Sequence, residues 1–193
     1  QQFESIGMGS GSVFSDLDGD GDGDLILAVE WGPVMIFRNN NGQFTEVTEA
    51  LGMAKYRGLW NGVTTGDIDG DGKLDIIATN WGLNNAYPAS MENPLRLYYD
   101  DFDNNGTLDI IEAHFNPTLN QVVPERGLAT LLQAIPYIRS RVPNHNRFSE
   151  SSVLNIIGNQ LLKSQELQVN TLEHMVFFNQ VNGFKAVSLP LEA

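Results

Sequence analysis

Three short acidic stretches constrain this chain more than anything else in it, because each sets oxygen-bearing side chains at one fixed spacing over nine residues. They read Asp16-Leu-Asp18-Gly-Asp20-Gly-Asp22-Gly-Asp24, Asp67-Ile-Asp69-Gly-Asp71-Gly-Lys73-Leu-Asp75 and Asp101-Phe-Asp103-Asn-Asn105-Gly-Thr107-Leu-Asp109. Acid stands at positions 1, 3 and 9, Asp or Asn at 5, and Gly at 6. Oxygen ligands at 1, 3 and 5 can converge from one side of a tight loop. Position 7 (Asp22, Lys73, Thr107) adds a backbone carbonyl, and the acid at 9 closes the cage. Such a hard, all-oxygen site suits Ca²⁺, up to three ions in all; Mg²⁺ fits less well because it demands strict octahedral geometry. Gly21, Gly72 and Gly106 at position 6 fit a turn that a Cβ would resist. A single Asp-Gly string is ordinary turn chemistry, but three loops agreeing at five positions favour the cation.

The register of the first loop is decided by position 9. A phase starting at Asp18 would put Ile26 there, with no oxygen to offer, so the phase starting at Asp16 is preferred. The third loop also satisfies an EF-hand string from Asp101 to Glu112. An EF-hand needs a helix on either side, whereas Leu95–Tyr99 and Ile110–His114 are β-type sequences, and the sister loops carry Leu27 and Ala78 at position 12. Glu112 is therefore expected on the solvent face of a strand.

The strands are read from the segments after the loops. Apolar runs 25–29, 76–79 and 110–113 come next, and the first two lead into Trp31-Gly32 and Trp81-Gly82. Residues 34–37, a turn at Asn39-Asn-Asn-Gly42 and residues 44–47 read as strand, hairpin, strand; the same ending returns at 174–179, 182–183 and 184–189. The loops start at residues 16, 67 and 101, a spacing in the range of a four-stranded propeller blade. The expected fold is mainly β: about three β-propeller blades with Asp-rich Ca²⁺ loops and a small helical insertion. Leu128, Leu131, Leu132 and Ile135 fall at helical spacing, as do Val153, Leu154, Ile157 and Leu161. Pro124 is expected in a first helical turn, Pro136 as a breaker, Ser149 or Ser151 as a cap and Gly158 as a stop. The expected division is blades with the three loops over 1–116, a helical insertion over 117–164, and closing strands of a further blade over 165–193.

Charge narrows the partners. Asp plus Glu number 24 against 11 Lys plus Arg, a formal net charge of −13, which repels phosphate backbones and anionic lipid. Nucleic acid and membrane insertion are therefore not expected; the longest apolar runs are far shorter than the ~18 residues a spanning helix needs. There is no Cys, so no disulfide framework exists. An export signal is expected to have been removed or to lie upstream.

Asp-x-Asp-Gly-Asp-Gly-x-x-Asp loops ahead of β-hairpins resemble the FG-GAP or VCBS-type repeats of β-propeller proteins, including the calcium-binding blades of integrin α chains. More closely, the chain resembles the bacterial ASPIC/UnbV group related to cartilage acidic protein 1. The residues that carry this are Glu30-Trp-Gly-Pro33, Phe37-Arg-Asn39, Asn41-Gly-Gln-Phe44, Gly58-Leu-Trp-Asn61, Asn80-Trp-Gly82, Tyr98–Gly106, Gln133–Pro136 and Asn170–Glu173. The resemblance implies Ca²⁺ held by Asp16, Asp18, Asp20 and Asp24, by Asp67, Asp69, Asp71 and Asp75, and by Asp101, Asp103, Asn105 and Asp109, with Asn105 weakening the third site.

Phe3–Ile6 is expected to be the outer strand of a preceding blade, and the repeat is expected to continue beyond Leu189–Ala193. A closed propeller takes roughly four to eight blades. The chain is accordingly expected to be a segment of a longer polypeptide, or one whose sheets neighbouring copies complete into a head-to-tail fibre.

Catalysis is not expected. His114, His145 and His174 lie far apart in sequence, no Ser sits in a nucleophile elbow, and acid committed to a cation cannot act as a general base. The expected function is a non-enzymatic, calcium-stabilised module of a secreted, periplasmic or cell-surface bacterial protein, serving adhesion or assembly. Its partners would be a protein or glycan surface, or copies of itself. The alternatives are a carbohydrate- or protein-binding module using Trp31, Trp60 or Trp81 as aromatic platforms, and the propeller of a polysaccharide lyase. Packing of the three Trp residues in the core is the competing account of them.

Overall fold

The computed structural model describes Phe3 and residues 6–190. The strand expected over Phe3–Ile6 and the end of the Leu189–Ala193 stretch fall partly outside the described residues. The chain forms two compact units, one of residues 1–86 with 169–193 and one of residues 87–168.

Two antiparallel sheets build the first unit. One runs β1 (Met8–Ser15), β2 (Asp24–Pro33), β3 (Met35–Asn40) and β4 (Gln43–Glu46) in spatial order, with β5 (Arg57–Leu59) paired to the far end of β2. Strand β2 is buried along nearly its whole length, as a strand with neighbours on both sides should be. Its register with β5 slips between Glu30 and Gly32, and Trp31 takes a positive φ of 57° at this bulge. The β3–β4 hairpin turns on Asn41 and Gly42, both at positive φ, which matches the twist of the flanking strands.

The second sheet runs β6 (Gly62–Gly66), β7 (Asp75–Thr79), β12 (Met175–Gln180) and β13 (Gly183–Ser188). Met175 pairs with Ala78 and Phe177 with Ile76. The closing hairpin thus completes the sheet of the second Asp loop; it does not start a further sheet, and the chain between β7 and β12 is an insertion into a four-stranded unit. The boundaries expected at 116 and 164 differ from these for the same reason: unit membership follows strand pairing, which here joins segments far apart in sequence.

Ile26, Ile36, Met53, Trp60, Ile76 and Phe177 form one buried cluster in the first unit. Trp60 is wholly buried and its Nε1–H donates to the Gly32 carbonyl at 3.0 Å. Gly58 is required beside it, since a Cβ there would stand 2.7 Å from the indole.

In the second unit the sheet order is β10 (Gln121–Pro124), β9 (Asp109–Asn116), β8 (Leu95–Asp100) and β11 (Gln165–Val169). Four short helices follow β10: α1 (Leu128–Ala134), α2 (Ile138–Arg141), α3 (His145–Ser149) and α4 (Val153–Ile157). Leu131, Ile135, Ile138 and Ile157 pack with Tyr98, Phe102 and Ile111 of the sheet side. Pro136 follows the end of α1, and Gly158, at φ 85°, ends α4. Two details differ from the sequence reading. Pro124 ends β10 rather than opening a helix, because the Glu125 N–H continues the sheet bonding to Glu112. The cap of α4 is Ser152, whose hydroxyl accepts from the Asn155 N–H at 3.1 Å; Ser149 and Ser151 donate theirs to the carbonyls of Asn146 and Arg147. No helix among the described residues is long and apolar enough to cross a membrane.

Candidate metal centre

Each Asp loop leaves the first strand of a sheet and returns as the second: β1 to β2, β6 to β7, β8 to β9. The third loop is flanked by strands, so it is not an EF-hand. Glu112, expected to face solvent, is only partly exposed and pairs with Arg126, Oε2 to Nη2 at 3.0 Å.

The loops fold alike because their side chains bond their own backbone. At position 1, Asp16 accepts from the N–H groups of Gly19 (2.8 Å) and Gly21 (3.0 Å) on its two oxygens. Asp67 does the same with Gly70 and Gly72, at 2.8 and 3.1 Å, and Asp101 with Asn105 and Gly106, at 3.0 and 2.9 Å. At position 5, Asp20, Asp71 and Asn105 accept from the position-7 N–H of Asp22, Lys73 and Thr107 at 2.8, 2.9 and 2.7 Å. These are Asx turns. Position 6 lies at φ 93°, 86° and 87°, so glycine there avoids the strain of a side chain.

Position 9 is the buried end of the site. Asp24, Asp75 and Asp109 are 0%, 1% and 6% exposed, and each accepts on Oδ2 from the N–H of position 2, Leu17, Ile68 or Phe102, at 2.9–3.1 Å. Burial pushes the Asp24 carboxyl above the usual carboxylate range against its backbone bonds, and the charge of Asp18 adds to this. Burial likewise raises Asp109, with Asp103 and Asp101 adding to it. An ionised carboxylate in either place is costly until a positive charge joins it.

Carboxylate oxygens converge to within 4.8 Å of one another in three groups: Asp16, Asp18 and Asp24; Asp67, Asp69 and Asp71; Asp101, Asp103 and Asp109. Asp20 is not a member of the first group, nor Asp75 of the second. The donor set is all oxygen and the groups are mutually repulsive at this distance, which fits a hard divalent cation. Two basic side chains reach the loops, Arg38 Nε to Asp18 at 3.3 Å and Lys73 Nζ to Asp71 at 3.7 Å; both pairs are exposed, so they offset little of that repulsion.

Sequence reasoning missed a pair of asparagines. The Asn39 N–H donates to the remaining oxygen of Asp24 at 2.9 Å, and its side-chain amide to the Gly23 carbonyl at 3.1 Å. In the second sheet the Asn179 N–H donates to Asp75 Oδ1 at 2.8 Å, and its amide to the carbonyls of Leu17 and Leu74 at 2.9 and 3.2 Å. The repeated strings Phe37-Arg-Asn39 and Phe177-Phe-Asn179 carry the signal. The three Trp residues divide: Trp31 and Trp60 are buried, whereas Trp81 is 48% exposed.

Residues 16–78, about a third of the chain, match the FG-GAP-like repeat family. The match covers the first two loops and the hairpin between them. No curated protein matches the chain.

Proposed function

We propose that the three loops bind Ca²⁺ and that the chain is a calcium-stabilised, non-enzymatic β-propeller segment of a secreted or cell-surface protein, used in adhesion or extracellular assembly. The observation that carries this reading is the threefold recurrence of one loop geometry with three converging carboxylates, which include the buried position-9 acid in the first and third loops. The residues that would hold the ions are the three converging groups. Asp20, Asp75 and Asn105 complete them in the sequence pattern, and the position-7 backbone carbonyls of Asp22, Lys73 and Thr107 supply neutral donors. A bound Ca²⁺ supplies charge and coordination, not chemistry. It holds the two strands that each loop joins at a fixed angle, so the sheets present a constant surface. Three ions would bring the formal charge from −13 to −7.

Membership of the ASPIC/UnbV group, four-stranded sheets acting as propeller blades, and completion by a longer chain or by copies of this one belong to the same proposal. So does the location: cytosolic free calcium would leave such sites empty, and an extracellular setting would fill them. Partners are then a protein or glycan surface, or the chain itself. The test is a thermal melt with size analysis on the intact chain, in excess EGTA and in millimolar Ca²⁺, with wild type and Asp69→Ala. Ca²⁺ should raise the wild-type melting temperature, and the variant should lose part of that gain. Equal melting under both conditions would reduce the loops to plain turns.

A further inference from the structure

A cavity of about 490 Å³ opens in the first unit where the chain leaves β7 and where it re-enters β12, well within the size of small-ligand sites. Trp81 and Leu83 line it just past β7, Glu173 and His174 just before β12, and Leu189 and Pro190 just past β13. Its wall therefore combines an indole and aliphatic carbon with one carboxylate, one imidazole, the Asn84 amide and the Ser188 hydroxyl.

The polar groups are held in place from behind. Asn80, 1% exposed, accepts on Oδ1 from the N–H groups of Leu59 (3.0 Å) and Trp81 (2.9 Å), and its Nδ2 donates to the Thr171 carbonyl at 2.8 Å. Its own N–H donates to His174 Nδ1 at 2.9 Å. A backbone N–H can only donate, so Nδ1 is the acceptor nitrogen, and in the neutral ring the proton sits on Nε2. Nε2 lies at the wall beside Gly82, where a Cβ would stand 3.5 Å from it. Glu173 Oε2 accepts from the Leu172 N–H at 3.2 Å, and a carboxylate has several further acceptor positions.

A fixed donor, a carboxylate acceptor and an aromatic face together select among ligand classes. An anionic ligand meets Glu173 and a chain of charge −13. An ammonium group suits Trp81 and Glu173 but offers nothing to the imidazole N–H. A purely apolar ligand leaves the wall's polar groups desolvated and the Glu173 and His174 groups short of partners. A hydroxyl both donates and accepts, and the C–H face of a pyranose stacks on an indole. We infer that this cavity binds a neutral pyranose, stacked on Trp81, with its hydroxyls donating to Glu173 and accepting from His174 Nε2–H. This site goes beyond the calcium reading and does not depend on it.

The test is saturation-transfer NMR on the intact chain with the methyl glycosides of glucose, galactose, mannose and xylose at up to tens of millimolar. Tetramethylammonium and glucuronate serve as controls, and each titration is run with and without Ca²⁺. The expected result is saturable binding of at least one glycoside, weakened ~tenfold or more by Trp81→Ala and several-fold by Glu173→Gln. Both variants should still melt cooperatively, which separates loss of binding from loss of the fold. Binding of none of the four glycosides, binding unchanged in Trp81→Ala, or preference for tetramethylammonium would each overturn the assignment. Failure of the calcium reading would show only in the melts, so the two outcomes are separable.

Discussion

The first two Asp loops and the third share a spacing but differ in what stands behind position 9. Asp24 and Asp75 are each held from two sides, by the position-2 N–H and by an asparagine from the neighbouring hairpin strand, Asn39 or Asn179. In the third, the strand next to β9 ends at Pro124, opposite Ala113, and the chain turns into α1 before any hairpin can reach Asp109. The loop motif alone therefore does not define the unit. A loop is braced fully only where the following two strands form a hairpin, and helices replace that hairpin in the second unit.

Removing position 9 should break the comparison most visibly. Asp24→Ala strands two N–H groups and should cost about 3–5 kcal/mol in urea unfolding, whereas Asp109→Ala should cost about half as much. Equal losses would mean that the hairpin bond contributes nothing. Next in size is the cation itself. At ~100-fold excess over its dissociation constant, each bound ion adds about 2.7 kcal/mol to the fold. Calorimetric titration should show two tighter steps and one weaker, and Asn105→Asp should strengthen the weak one, because ligand charge tunes affinity. An unchanged third step would remove Asn105 as the cause.

Smaller again are the clamps: Asn39→Ala and Asn179→Ala should each lose about 1–2 kcal/mol, because the side-chain amide bonds go while the backbone N–H to the acid remains. The least effect is that of pH. The carboxyls of Asp24 and Asp109 lie above 3.8 in the metal-free fold. The native state then binds protons more tightly than the unfolded chain, so their contribution is largest below that value and is lost as pH rises through the raised one. Ca²⁺ bound at the loops would hold them ionised and reverse the sign. The gap between melting temperatures with and without Ca²⁺ should accordingly widen as pH climbs from about 4, and a constant gap would argue against cation contact with position 9.

The loops were legible because most of what shapes them is local, acids bonding N–H groups two to seven residues away and glycines at positive φ; the Asn39 and Asn179 braces come from farther off. The 34–47 hairpin was legible for the same reason. The destination of the closing hairpin was not, since its pairing with β7 crosses a whole inserted unit and depends on side chains such as Phe177 finding Ile26 and Trp60. Asn39 reads as a turn residue in the sequence, although it hydrogen-bonds Asp24 and Gly23 from β3. The Trp question could not be decided by composition either. Trp31 and Trp81 stand in the same Trp-Gly pair, yet Trp31 is buried, while Trp81 lies half-exposed at the rim of a cavity.

The insertion between β7 and β12 also sets a timetable. As the chain is synthesised, β1 to β4 can pair as soon as residue 46 is free. Strand β7, however, with Ile76 and Ala78 destined for complete burial, must wait for residues 175–180. At a synthesis rate of ~5–20 residues per second, that leaves an apolar edge without its partner for roughly 5–20 seconds. A nascent chain arrested in that interval offers a half-made sheet to any other β-strand nearby. Compaction of residues 87–168 ahead of the late hairpin would shorten the effective loop that hairpin has to close, and β8, β9 and β10, which pair in sequence order, can form before β11 arrives.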